Sequence, residues 1–156
     1  MVCLAMALTS CGFQLRGQAV IPYESLFIET TGYSKFAHEL ERAIRSGSKT
    51  KVVQSRDEAQ AVLKIVAESQ ENYILALSVG GRVLEFELRY KINYRLTDRT
   101  GKELAPPGEI FLRRDMTYDD TEVLAKESEI DFLYRDMKAD AVQQMLRRLS
   151  AAKPVA

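Results

Sequence analysis

From Leu84 to Leu96, apolar and polar residues alternate without interruption. Leu84, Phe86, Leu88, Tyr90, Ile92, Tyr94 and Leu96 take one parity, and Glu85, Glu87, Arg89, Lys91, Asn93 and Arg95 take the other. Period two predicts a strand with one face on a core and the other in a polar setting. A one-residue slip would bury the polar set, so the register of this strand is firmly fixed. Upstream, Val62 to Ala67 alternates through Leu63, Ile65 and Ala67. After a polar break at Glu68 to Asn72, apolar residues resume at Tyr73, Leu75, Leu77 and Val79. This stretch reads as one long, bent strand, with two shorter strands as the alternative. Gly80-Gly81 then supplies positive φ angles for a tight hairpin.

Around this centre the pattern is shorter-ranged. Leu26 to Thr30 reads as a strand. Ser34 suits the N-cap of a helix whose stripe is Phe36, Leu40, Ala43 and Ile44, with Ser46-Gly47-Ser48 as its stop. Lys51 to Val53 reads as a short extended piece and Arg56 to Gln60 as a single turn. Asp98 to Gly101 makes another turn, and Pro106-Pro107-Gly108 delays a further strand until Ile110 to Tyr118. From Thr121 the period becomes helical through Leu124, Glu127, Ile130, Tyr134, Met137, Ala141, Met145 and Leu149, a stripe broken only at its second position. Thr121 or Asp120 is placed to cap the start, and Lys153-Pro154 marks the end. The predicted order is β-α-β-β-β-α. This is an α+β fold with two helices on one face of a four-stranded, largely antiparallel or mixed sheet. The charged parity of Glu85 to Arg95 is then left uncovered.

The chain opens on a short apolar run, Val2 to Leu8, that leads into Leu8-Thr9-Ser10-Cys11-Gly12. A branched apolar residue, two small residues and a cysteine look like a bacterial lipobox, in which cleavage before Cys11 is followed by acylation of its sulfur and amine. Two or more acyl chains give stable anchorage where one is marginal, at roughly 0.8 kcal/mol per buried CH₂. The alternative is a buried Cys11 ending an apolar segment. Residues 1–10 hold no Lys or Arg, so Met1 reads as an internal start with part of a signal peptide upstream.

Beyond the cysteine, Cys11-Gly12-Phe13-Gln14-Leu15-Arg16-Gly17 resembles the mature start of the LPS-assembly lipoprotein family (LptE, also called rare lipoprotein B). The same family order continues in Leu26-Phe27-Ile28-Glu29, the Gly80-Gly81 hairpin, Glu85-Phe86-Glu87-Leu88-Arg89-Tyr90 and Pro106-Pro107. It extends through Arg114 to Asp119 and Leu124-Ala125-Lys126-Glu127. The resemblance implies an outer-membrane lipoprotein that plugs the lumen of an LptD-type β-barrel LPS translocon, helps it assemble and binds lipopolysaccharide. Gly12, rather than Asp, resembles lipoproteins sent to the outer membrane.

Composition narrows the chemistry. The chain has 156 residues, which is one domain, with 22 Lys+Arg against 22 Asp+Glu. Neutrality argues against a protein held on nucleic acid by counterion release. The two cysteines are Cys3 and Cys11, one in the signal segment and one at the acylation position, which suits an oxidising compartment. His38 is the only histidine and reads as a helical surface residue, so no zinc spacing exists. Asp119-Asp120 reads as helix-start acids rather than an ion site. No cofactor or metal is expected, and an enzyme is improbable. A four-stranded sheet with two helices also describes RNA-binding modules. Those modules place aromatics on the open face, however, whereas here Phe86, Tyr90 and Tyr94 share the apolar parity.

The expected organisation is a signal remnant at 1–10, a lipidated tether at 11–24, one domain at 25–150 and a tail at 151–156. Acylated Cys11 holds the domain on the periplasmic side of the outer membrane. The resemblance implies that Glu85, Glu87, Arg89, Lys91 and Arg95 form a barrel-facing surface, which suits the polar interior of a large barrel. The alternative is an ordinary solvated sheet face. Phosphorylated sugars call for cations. The resemblance favours Lys126 first, then Arg82 and Arg114, for lipopolysaccharide. The other readings are an accessory lipoprotein of another envelope lipid-transport system and a soluble RNA-binding domain.

Overall fold

A computed structural model describes residues 20–152, which form a five-stranded mixed sheet with two helices on one face. The elements are β1 (Ser25–Thr30), α1 (Lys35–Gly47), β2 (Lys51–Val53), β3 (Ala61–Leu77), β4 (Val83–Thr97), β5 (Glu103–Thr117) and α2 (Val123–Ala151). Strand order is β2-β1-β3-β4-β5. β1 is parallel to both β2 and β3, while β3, β4 and β5 are antiparallel neighbours.

The class is the expected α+β, with one strand more than the pattern predicted. Lys51 to Val53 is that strand. It pairs with Ser25 to Phe27, and Lys51 N–H donates to the Glu24 carbonyl at 2.9 Å. Three residues are too few to display a period, so only the neighbouring strand identifies them as sheet. Residues 61–77 are one strand, not two. β3 bends at register shifts between Ile65 and Ala67 and between Ile74 and Ala76. The first shift inserts Val66 as an extra residue and reverses the parity as far as the second shift, which inserts Leu75. Glu68, Gln70 and Asn72 therefore lie opposite Ile92, Tyr90 and Leu88 on the helix side, while Tyr73 pairs with Glu87 on the other face. Tyr73 therefore leaves the core side, while Leu75, Leu77 and Val79 lie at or beyond the second shift, toward the hairpin turn, and are exposed as well.

β5 also starts earlier than expected, at Glu103. Pro106 and Pro107 fall inside it, at a register shift between the Tyr94–Gly108 and Leu96–Ala105 pairs. β5 is an edge strand, where a missing N–H is tolerated. A Cβ at Gly108 would overlap the Tyr94 ring, so glycine admits that ring. Both hairpin turns use the same device. Gly81 and Gly101 adopt positive φ (78° and 94°), with Gly81 N–H bonded to Ser78 O and Gly101 N–H to Asp98 O. Only Gly81 of the Gly80-Gly81 pair carries the left-handed conformation.

Ser34 caps α1 as predicted, its hydroxyl accepting from Ala37 N–H at 3.0 Å. The cap of α2 differs. Glu122 occupies that position without a side-chain hydrogen bond, because Asp119 instead accepts from Thr121 N–H and its hydroxyl in a tight turn just before it. Lys153-Pro154 lies outside the described residues.

The core lies between the helices and the helix-facing row of β4, where Leu88, Tyr90, Ile92, Tyr94 and Leu96 are buried. α1 contributes Phe36, Leu40 and Ile44, and α2 contributes Met137, Ala141, Met145 and Leu149. The stripe of α2 begins with the half-buried Ile130. Leu124, expected in it, is exposed because the first two turns pack little. A polar cluster crosses this core. Tyr90 Oη donates to Glu68 Oε1 at 2.7 Å, Ser34 Oγ donates to Glu68 Oε2 at 2.6 Å, and buried Lys138 bonds Glu39 at 3.1 Å between the helices. Burial, then Glu68, push the Tyr90 phenol far above its ordinary range, so it is a permanent donor.

Tyr90→Asp should unfold the domain, because it leaves a carboxylate against Glu68 in the core. Tyr90→Phe should remain folded and lose about 1 kcal/mol, since only the hydrogen bond is removed. Chemical denaturation of the two variants checks both outcomes.

Candidate functional site

With both helices on one side, the opposite face of the sheet is bare, and strand register organises its charges into rows. One row runs Glu71, Arg89, Arg113; the next runs Tyr73, Glu87, Asp115; a third runs Ser69, Lys91, Phe111. Among the charged residues of this face Glu87 is the buried one, with its side chain only 9% accessible, and it is held by Arg89 and, at 3.8 Å, by Arg113. Arg89 lies 3.7 Å over the Tyr73 ring, and Lys91 lies 5.8 Å from the Phe111 ring and 3.8 Å from Glu109. Together Ser69, Glu71, Tyr73, Arg89, Lys91 and Phe111 line a shallow cavity of about 120 Å³. Arg89 is held charged above its ordinary range by its hydrogen bond to Glu87. Glu71 is held below its ordinary range by the Tyr73 hydroxyl.

The row nearer the N-terminal end is similar in character. Glu29 takes Lys64 at 2.7 Å and Arg56 beside it, and Arg95 pairs with Glu103. The Lys64 hydrogen bond, followed by that of Arg56, lowers the Glu29 carboxyl below its usual range. Thus Glu85, Glu87, Arg89, Lys91 and Arg95 do share one face, as the alternation of β4 predicts. Their partners Glu71, Tyr73, Phe111, Arg113 and Glu103, and the neighbouring cluster of Glu29, Lys64 and Arg56, were not singled out from sequence. Partnership across strands depends on register, and the Val66 bulge hides the face of Tyr73 and Glu71.

Arg82 and Lys126 come together at the end of the sheet remote from β1's start. Arg82 sits in the β3–β4 turn, its backbone N–H bonded to Ser78 Oγ, with its side chain 72% accessible and 3.8 Å from Asp120. Lys126 lies in the first turns of α2. Its side chain is only 15% accessible, and its ammonium bonds Glu129 at 3.0 Å. Asp119 stands close enough to both cations for each to favour its charged form. Its carboxyl lies below the ordinary aspartate range chiefly because Thr121 N–H and hydroxyl donate to it. Arg82 is therefore the more open of the two.

Arg114 is elsewhere. It projects from the helix-facing side of β5 and joins the sheet to mid-α2 through Asp140 at 2.9 Å and Asp136 at 3.7 Å. Asp140 is 14 residues beyond Lys126 on the same helix, about 20 Å along its axis. Cys11, the expected acylation site, lies outside the described residues. Among those residues no group of three or more His, Cys, Asp or Glu could hold a metal, and no helix is long and apolar enough to cross a membrane.

An α+β domain with both helices on one sheet face and a charged, bare sheet on the other is the class these features define. The sequence profile of the LptE family, described as lipopolysaccharide-assembly, matches residues 23–149. The chain belongs to the LptE family. It is 24% identical over 155 residues to the LPS-assembly lipoprotein LptE of Photorhabdus laumondii, covering 94% of this chain and 81% of that one. Among solved structures, a lipoprotein B from Nitrosomonas europaea is similar at TM-score 0.79 and 41% identity, covering 90% of this chain and 91% of the other. The rare lipoprotein B from Shewanella oneidensis is similar at TM-score 0.70 and 27% identity, covering 81% and 94%.

Carbon-detected titration of Asp119 should give a midpoint below that of an ordinary aspartate. Thr121→Val should bring it part of the way back, because the hydroxyl donor is lost while the backbone N–H remains.

Proposed function

We propose that this protein is the lipoprotein subunit of an outer-membrane LPS translocon. It is anchored on the periplasmic side by acylated Cys11, plugs and stabilises an LptD-type β-barrel and binds lipopolysaccharide during assembly. It works by contact and position, without catalysis. The bare sheet face carries this reading. It mixes the two signs, with Arg89, Arg113 and Lys91 in the rows that flank Glu87 and Asp115, and its buried Glu87 is already satisfied by Arg89 and Arg113. Such a surface suits a polar barrel interior, which rewards mixed charge and penalises apolar area. Individual exposed pairs contribute little, at ~0–1 kcal/mol each, so the fit depends on the whole array.

At the remote end, Arg82 and Lys126 are the groups offered to phosphorylated sugars. Each is paired with a carboxylate, which a phosphate must displace. Charge-assisted bonds to phosphate supply direction there, and the competing acids keep the net electrostatic gain small. Arg114 is the weaker candidate, being committed to Asp136 and Asp140.

Isolation of the anchored protein from gently solubilised envelopes should recover one large outer-membrane β-barrel as its companion. Recovery of an ABC transporter in its place would overturn the translocon reading in favour of another lipid-transport system. Lys126→Asp should weaken LPS binding by roughly tenfold with an unchanged circular dichroism spectrum. Unaltered affinity in a folded Lys126→Asp protein would remove this lysine from the site.

A further inference from the structure

The same remote end carries apolar surface that the fold does not use. Asn72 to Gly81 is a run of ten residues without a charge. Within it Ile74 (55%), Leu75, Leu77 and Val79 are exposed, and Leu84 on the returning strand is also exposed. Backbone bonds close the hairpin that carries them. Ser78 N–H bonds Arg82 O at 2.8 Å, and Tyr118 N–H bonds Leu84 O at 2.8 Å. Exposure is therefore a property of the finished hairpin and not of an incomplete ladder. Across the short β5–α2 connection, Val123 and Leu124 at the start of α2 are exposed as well. Exposed apolar groups gathered at one end and bordered by polar residues mark a contact site.

Charge identifies the occupant. The bordering cations are Arg82 and Lys126, and the bordering acids are Asp119, Asp120 and Glu122. With two cations against three acids, a purely anionic ligand meets at least as much repulsion as attraction here, and a purely apolar one leaves Arg82 without a role. An amphiphile with a phosphorylated head and several hydrocarbon chains satisfies both halves. We infer that the β3–β4 hairpin tip, through Leu75, Leu77 and Val79, receives the acyl chains of the lipopolysaccharide whose head group lies at Arg82 and Lys126. This inference rests on the LPS-binding reading above and deepens it. Because acids dilute the electrostatic contribution, the chains supply most of the affinity, and binding depends on acylation more than on salt.

The test uses the whole chain carrying Cys11→Ser, so that no acyl chain of its own competes for the tip. The sequence has no tryptophan, which makes Val79→Trp the sole indole reporter. Its emission should shift to the blue with purified lipopolysaccharide and stay unshifted with the same material after alkaline deacylation. Leu77→Asp should lower affinity for intact lipopolysaccharide at least about tenfold, leaving deacylated material, circular dichroism and melting temperature unaffected. Leu77→Ser, which adds no charge, should give a loss in the same direction. An unshifted indole in the Val79→Trp protein with lipopolysaccharide bound, or full affinity in both Leu77 variants, would overturn the inference. An equal blue shift on phosphatidylcholine vesicles would also overturn it, by showing that the tip enters any lipid surface. If Arg82→Glu and Lys126→Asp leave binding intact while Leu77→Asp abolishes it, the acyl contact stands and the cation assignment fails.

Discussion

The register of β4 between β3 and β5 is the constraint on which the other features depend. Fourteen residue pairs tie β4 to β3 and twelve tie it to β5, so β4 cannot slide without breaking both ladders. The same register sends Leu88, Tyr90, Ile92, Tyr94 and Leu96 under the helices and Glu87, Arg89 and Lys91 to the bare face. Core and candidate site are thus two faces of one decision. Tyr90 is where they are locked, because its hydroxyl reaches Glu68, which the Val66 bulge has turned toward the helices. A slipped strand would bury guanidinium and ammonium groups where Tyr90 and Ile92 now sit, at a cost of several kcal/mol each.

The fold was legible in the sequence wherever a period ran long enough to average out local exceptions. β4 and α1 are such cases, since each has one apolar side and a clear stop. Reading failed where a single residue resets a period. Val66 reverses the parity of β3, so Tyr73, which continues the apolar series of Leu63 and Ile65 along the chain, stacks under Arg89 on the opposite face. Pro106-Pro107 signalled a delayed strand. An edge position tolerates them, but edge position is a property of the whole sheet. The three residues of β2 and the exposed start of α2 are likewise decided by neighbours rather than by their own pattern.

The candidate site divides the same way. The charges contributed by β4 were readable, because they are the complement of a faultless apolar alternation. Their partners on β3, β5 and the connection before β3 were not, since pairing joins residues far apart in the chain, such as Arg56 and Glu29 or Arg113 and Glu87. Arg82 and Lys126 came from family resemblance alone. Their convergence around Asp119 follows from the hairpin returning beside the β5–α2 turn, where Tyr118 N–H bonds Leu84 O. Arg114 shows the reverse, a basic residue in a family-like stretch whose strand parity commits it to the helix.

Topology also decides how anchoring and ligand contact relate in space. β1 runs parallel to β3, with Leu26 beside Ala61, so the chain enters the domain at the end where β3 begins. The β3–β4 turn stands at the other end of a 17-residue strand, about 55 Å away at roughly 3.3 Å per residue and somewhat less through the bulges. A bilayer with its head groups measures roughly 40–45 Å. In the proposed arrangement, a tether ahead of β1 would hold one end of the molecule at one membrane surface, with the charged and apolar tip about a membrane thickness away. In the proposed plug, the mixed-charge sheet fills the distance between them, where a pore offers polar walls. The length of β3, far beyond what the helices need to cover, has a physical use in that arrangement: it separates the anchor from the contact.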